Sequence, residues 1–167
     1  MNNFFTIQEN QAQQFYWFDQ VFTHQELKWI EDGVSNIPYT RADVIGEHTE
    51  DRKSNIKWIP QSVEWEWLYQ KLIQMASEAN NQLWNFDLHS APELIQYTEY
   101  EATEFGKYDW HQDIGNSALS IRKISITVQL SDSEEYEGGD LCFWRGGESL
   151  DKNSIAAPRG KGNVVLF

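Results

Sequence analysis

The stretch Ile124-Ser-Ile-Thr-Val-Gln-Leu130 constrains the chain more than any other, because its side chains alternate in character with a period of two. Ile124, Ile126, Val128 and Leu130 fall on one face and Ser125, Thr127 and Gln129 on the other, the pattern of a strand with one face in a core and one wetter face. A single strand of this kind needs partners, and the second half of the chain supplies candidates. Trp84–Leu88, Leu94–Tyr100, Tyr108–Asp113, Leu141–Trp144 and Val164–Phe167 read as further short strands, separated by turn signals at Ser131–Gly139, Gly146-Gly147 and Pro158–Gly162.

The first half reads differently. Phe15–Phe18 is a short aromatic strand that lays the N-terminal region onto the core. Thr23 and Glu26 form a capping-box pattern, and Leu27, Ile30 and Val34 recur at helical spacing up to Gly33–Pro38. Thr40–Asn55 is polar and without period, long enough for a functional loop, and it precedes Ile56–Ile59, a strand closed by Pro60. From Val63 to Leu83 the stripe Leu68, Leu72, Met75, Ala79 and Leu83 predicts a second amphipathic helix. Two helices ahead of many short strands predict a single α+β domain over residues 1–167, its β part a sandwich or barrel of jelly-roll type. No repeat, low-complexity tract or linker interrupts it.

Composition narrows the partners. A net charge of −13 disfavours a polyphosphate partner, so nucleic acid is not expected. The basic cluster Arg41, Arg52, Lys53 and Lys57 is interrupted by Asp43, Glu47, Glu50 and Asp51, and reads as a solvated loop of mixed sign. With 40% apolar residues, including 8 Trp, 7 Tyr and 9 Phe, the chain can bury a core. No apolar run is long enough for a membrane span, Met1–Asn10 lacks the features of a signal peptide, and Cys142 is the sole cysteine, which together predict a cytoplasmic protein with no membrane partner.

The chemistry gathers in Tyr108-Asp-Trp-His-Gln-Asp113. If that segment is extended, His111 and Asp113 share one face and Gln112 turns away. An imidazole and a carboxylate on one face suit a divalent metal, and a second histidine would complete the two-histidine, one-carboxylate facial triad of non-haem Fe(II) oxygenases. The third ligand is not evident. His24 lies in a first helical turn, His48 in a charged loop and His89 between strands, positions that read as structural or exposed.

Tyr100, the His111-x-Asp113 pair, the strand Lys123–Ser131, the segment Glu135-Tyr-Glu-Gly-Gly-Asp-Leu-Cys-Phe143 and the stretch Pro158–Phe167 together resemble, in order and spacing, the prolyl 4-hydroxylase-like branch of the 2-oxoglutarate and Fe(II)-dependent dioxygenases. The resemblance covers most of the chain, with the first half similar to that family's support helices. It implies a double-stranded β-helix, that is, a jelly roll with iron at one mouth. His111 and Asp113 match the first two iron ligands. Tyr100 resembles the tyrosine near the oxoglutarate, with Tyr97 and Tyr108 as alternatives. Thr127 and Gln129 fall on the strand face that lines the cosubstrate pocket in relatives, and Leu141 matches an apolar wall of it. The same positions also suit a strand's polar face and a core leucine. The family's distal histidine and its oxoglutarate-pairing basic residue would follow Phe167, so the expectation is a C-terminally incomplete domain, its last strands missing, inactive as it stands.

The resemblance implies Fe(II) and 2-oxoglutarate, with ascorbate as an accessory reductant. The reaction would decarboxylate the cosubstrate to succinate and CO2 and hydroxylate a C–H bond of a protein, peptide or small molecule, peptidyl proline among them. Trp110 and Trp144 are candidate walls of the substrate channel, or core packing, and Thr40–Asn55 is a candidate lid. Two rivals stand beside this reading: a non-catalytic jelly-roll binding or structural module, and a nucleic-acid dealkylase of the same superfamily, which the acidic balance disfavours.

Overall fold

The structure is a computed structural model and describes residues 15–41, 51–91, 93–149 and 152–167. Helix α1 (His24–Ser35) begins where the capping box requires: the Thr23 hydroxyl accepts the Glu26 N–H, and the Glu26 carboxylate accepts the Thr23 N–H at 2.8 Å. Its apolar stripe, Leu27, Ile30 and Val34, is buried. Helix α2 (Glu66–Leu83) buries Leu68, Tyr69, Leu72, Met75, Ala79 and Asn80. A turn at residues 63–65 precedes it, so the helix starts three residues later than its periodicity suggests.

The main core forms where these helices meet a three-stranded antiparallel sheet. Strand β1 (Tyr16–Phe18) and strand β7 (Ile126–Val128) flank the central strand β10 (Val164–Leu166), with Tyr16 opposite Leu166 and Val165 opposite Thr127. Val164, Val165 and Leu166 are completely buried, because a central strand covered on both faces reads as an unbroken apolar run. Val164 and Leu166 enter the helix-side core, and Ile124, Ile126, Val128 and Leu130 pack against it. Val165 points the other way, into a second cluster with Phe15 and Ala157, against which Leu141, Phe143 and Phe167 pack. The alternation in Ile124–Leu130 is therefore the division between two apolar layers.

A second antiparallel sheet orders strand β2 (Thr40–Arg41), strand β4 (Asn55–Ile59) and strand β5 (Ile95–Glu99). Two further two-stranded antiparallel pairs complete the described strands: β3 (Arg52–Lys53) with β6 (Lys107–Tyr108), and β8 (Cys142–Trp144) with β9 (Ser154–Ala156). The described architecture is thus two helices and four small antiparallel sheets.

Several local expectations are corrected. Trp84–Leu88 is not a strand, because the Asn80 side chain takes both the N–H and the C=O of Phe86 and leaves neither for a ladder. Thr40–Asn55 is strand at both ends, and its middle, residues 42–50 with His48, lies outside the described residues. The basic cluster is not uniformly solvated. Lys57 is buried in β4, its Nζ donating to the Val34 carbonyl at 2.8 Å in the last turn of α1 and lying 4.1 Å from the centre of the Tyr39 ring. Strand β9 falls in a stretch that reads as loop.

Candidate metal centre

Strand β6 supplies the approach to the site. It pairs Tyr108 with Arg52, and the Asp109 N–H extends the ladder to the Asp51 carbonyl at 2.8 Å. Pairing then stops, and residues 109–116 follow an irregular path. His111 and Asp113 nonetheless converge, with Nε2 of His111 3.0 Å from Oδ1 of Asp113. The other imidazole nitrogen, Nδ1, donates to the Asp109 carbonyl at 2.7 Å. That bond places a proton on Nδ1 and directs Nε2 at the carboxylate.

Each group shifts the other. The hydrogen bond that its Nε2–H gives to Asp113 raises the His111 pKa against the opposing effect of burial, and the Asp109 carbonyl adds to the rise. The hydrogen bond from His111 holds the Asp113 carboxyl below its ordinary range against burial, helped by the Ser125 hydroxyl and the charge of Arg122. Both side chains remain about one-third exposed, 36% and 34%, so the pair faces solvent on one flank.

The donor set fits a divalent cation. Two ligands at right angles, with bonds of about 2.1 Å, sit about 3 Å apart, which is the separation seen here between Nε2 and Oδ1. In this structure a hydrogen bond spans that gap. Among the described residues no group of three or more His, Cys, Asp or Glu side chains is assembled for a metal, so the described donors are these two.

The remaining predicted residues divide by face. Thr127 lies opposite Val165, so Ser125, Thr127 and Gln129 occupy the layer that contains Leu141 and not the helix-side core. The Ser125 hydroxyl donates to Asp113 Oδ2, which ties that layer to the dyad. Tyr100 follows β5, half exposed, and its hydroxyl is pushed up by burial while Arg52 pulls it down. Of the alternatives, Tyr108 stacks on the His111 ring, whereas Tyr97 packs against the helix-side core, its hydroxyl pushed up to about 12 by burial and by Glu99. Trp110 and Trp144 are 46% and 47% exposed, which removes full core packing as their role. His24 opens α1 and His89 lies on an exposed stretch beside Asp87.

Sequence reasoning missed four contributors: Asp109, Ser125, Arg122 and Glu93. Arg122 Nη1 donates to the Asp113 carbonyl at 2.9 Å, while Glu93 takes its Nε at 2.6 Å and its Nη2. Only Ser125 carried a signal, its place on the polar face of the best strand. The others act through backbone carbonyls or across 29 residues of sequence, separations that no local pattern reports.

No helix among the described residues is long and apolar enough to cross a membrane. No family model matches the chain, and no solved structure matches it. The chain is similar to a PKHD-type hydroxylase from Synechococcus sp. (strain CC9605), 42% identical over 60 residues that make up 36% of this chain and 25% of that relative. The match thus spans a quarter of the length of that curated relative, and the likeness, to a PKHD-type hydroxylase, is partial.

Proposed function

We propose that this chain belongs to an Fe(II)- and 2-oxoglutarate-dependent dioxygenase that hydroxylates a C–H bond. The observation that carries the reading is the convergence of His111 Nε2 and Asp113 Oδ1 at 3.0 Å, with Nδ1 of the same ring already committed to the Asp109 carbonyl. The partial likeness to a PKHD-type hydroxylase supports it from an independent direction. Iron(II) with its oxoacid supplies O2 activation and oxygen transfer when bound. His111 and Asp113 hold the metal, the Asp109 carbonyl fixes the imidazole, and the open flank of the dyad admits cosubstrate and substrate.

In this reading the three-stranded sheet and the β8–β9 pair, joined through Val165, Leu141 and Phe143, are the facing walls of a jelly roll. Thr127, Gln129 and Leu141 line the cosubstrate side, with Tyr100 or Tyr108 at its edge. The substrate is a protein, a peptide or a small molecule, and the acidic balance of the chain speaks against a nucleic-acid dealkylase. The protein works in the cytoplasm, where ascorbate serves as reductant.

The test is conversion of 2-oxoglutarate to succinate by the full-length protein with Fe(II) under air. Succinate that disappears in His111→Ala and Asp113→Ala supports the proposal. Absence of turnover together with absence of metal binding favours the non-catalytic jelly-roll module.

A further inference from the structure

We infer that Ser125 is a positioning residue that sets how Asp113 presents its carboxylate, holding Oδ2 and reserving Oδ1 as the single oxygen offered beside His111. The inference rests on the metal-site reading above and concerns a residue which that reading leaves without a role.

The carboxylate is held at both ends. Its side chain accepts the Ser125 hydroxyl at Oδ2 and faces His111 Nε2 with Oδ1. Its backbone carbonyl accepts Arg122 Nη1 at 2.9 Å, and Arg122 is itself gripped by both oxygens of Glu93. Ser125 does not move freely either. Its N–H donates to the Phe167 carbonyl at 2.8 Å and its carbonyl accepts the Phe167 N–H at 3.1 Å, which extends the pairing of β7 with β10 by one residue. The strand alternation then sends its hydroxyl to the Thr127 and Gln129 face.

The consequence is one of coordination number. A carboxylate free to turn offers two oxygens to a cation and takes two positions. With Oδ2 engaged by a hydroxyl, Asp113 takes one, and a neighbouring position stays open for a ligand that needs two adjacent ones, such as an oxoacid binding through its keto oxygen and carboxylate. Arg122 and Glu93 serve the same end by fixing where the Asp113 backbone starts. Removal of the Ser125 hydroxyl therefore acts on the oxoacid and not on the metal.

The experiment uses the full-length protein as wild type, Ser125→Ala, Ser125→Thr and His111→Ala. Co(II) is titrated first and 2-oxoglutarate second, followed by calorimetry and by the visible absorption of the bound Co(II). Wild type binds Co(II) and His111→Ala does not. Ser125→Ala keeps Co(II) affinity within about threefold but loses about tenfold or more in 2-oxoglutarate affinity, the size expected of a group orienting a ligand. Its Co(II) spectrum shifts before the oxoacid is added, and Ser125→Thr restores both properties. Unchanged oxoacid affinity and spectrum in Ser125→Ala overturn the inference while the metal site stands. So does a collapse of Co(II) affinity in Ser125→Ala, which makes the serine a structural support. No Co(II) response in wild type overturns the metal-site reading itself.

Discussion

The Tyr108 ring lies face to face with the His111 imidazole, centroids 3.5 Å apart and planes 14° from parallel. The Arg52 guanidinium lies 4.6 Å from the centre of the same phenol ring. Strand pairing sets this arrangement, since Arg52 and Tyr108 are cross-strand partners between β3 and β6. The imidazole is thus fixed in its plane by a hydrogen bond at Nδ1 and along its normal by an aromatic face. Tyr108→Ala releases the second restraint, with an expected loss in divalent metal affinity of about tenfold. Tyr108→Phe keeps the ring and the affinity. Calorimetric titration of the two variants checks both values.

Lys57 is 5% exposed, and its ammonium group caps the C-terminal end of α1 through the Val34 carbonyl while lying against Tyr39. A cation near the last carbonyls of a helix is favourably placed. Lys57→Ala leaves a cavity and removes the charged donor from the Val34 carbonyl, which keeps its bond from the Ile37 N–H, at an expected cost of about 2–4 kcal/mol. Lys57→Met fills the space and costs about half as much. Urea unfolding midpoints at neutral pH measure both.

Glu26 joins the two helices. It closes the α1 capping box and accepts Lys71 of α2 at 2.6 Å. Burial works to raise its pKa, but the hydrogen bonds from Lys71, the Thr23 N–H and the Thr23 hydroxyl outweigh it and hold the carboxyl below its usual 4.5. A depressed folded-state pKa contributes stability that is complete above the unfolded value and disappears as pH falls through the folded one. Glu26→Gln is accordingly expected to cost about 1 kcal/mol at pH 7. The gap between variant and wild type closes as pH falls below about 4.5. Thermal melts from pH 7 to pH 3 follow the gap.

Leu166 has no exposed surface and sits in the central strand, packed into the helix-side core. Leu166→Ala is expected to cost about 2–5 kcal/mol. The same change at Ile155, 39% exposed on β9, is expected to cost less than about 1 kcal/mol. Denaturant titrations of the two variants compare a buried strand with an open one.

Legibility followed the range of the forces involved. The α1 capping box needs residues three apart and was readable, as was the stripe of α2, because helical structure repeats within a few residues. The two faces of Ile124–Leu130 were readable for the same reason. The stretch after helix α2, Trp84–Leu88, was not, since the Asn80 side chain reaches around to Phe86 and takes the backbone groups that a strand there would use. Burial of Lys57 was hidden too, because the group that accepts it lies 23 residues away on another element. In the site, His111 and Asp113 stood out by their spacing, yet they meet through a bent backbone and not through the extended segment that spacing suggests. Arg122 and Glu93 meet across 29 residues that include β5 and β6, a separation no local pattern reports.

The central claim, that the His111 imidazole and the Asp113 carboxylate grip a divalent metal together, is tested most directly by anaerobic Fe(II) titration of wild type, His111→Ala and Asp113→Ala. The account predicts one ion bound per wild-type chain and a loss of about 100-fold or more in affinity in each variant, as expected when one of few ligands is removed. Equal Fe(II) affinity in all three proteins would contradict it.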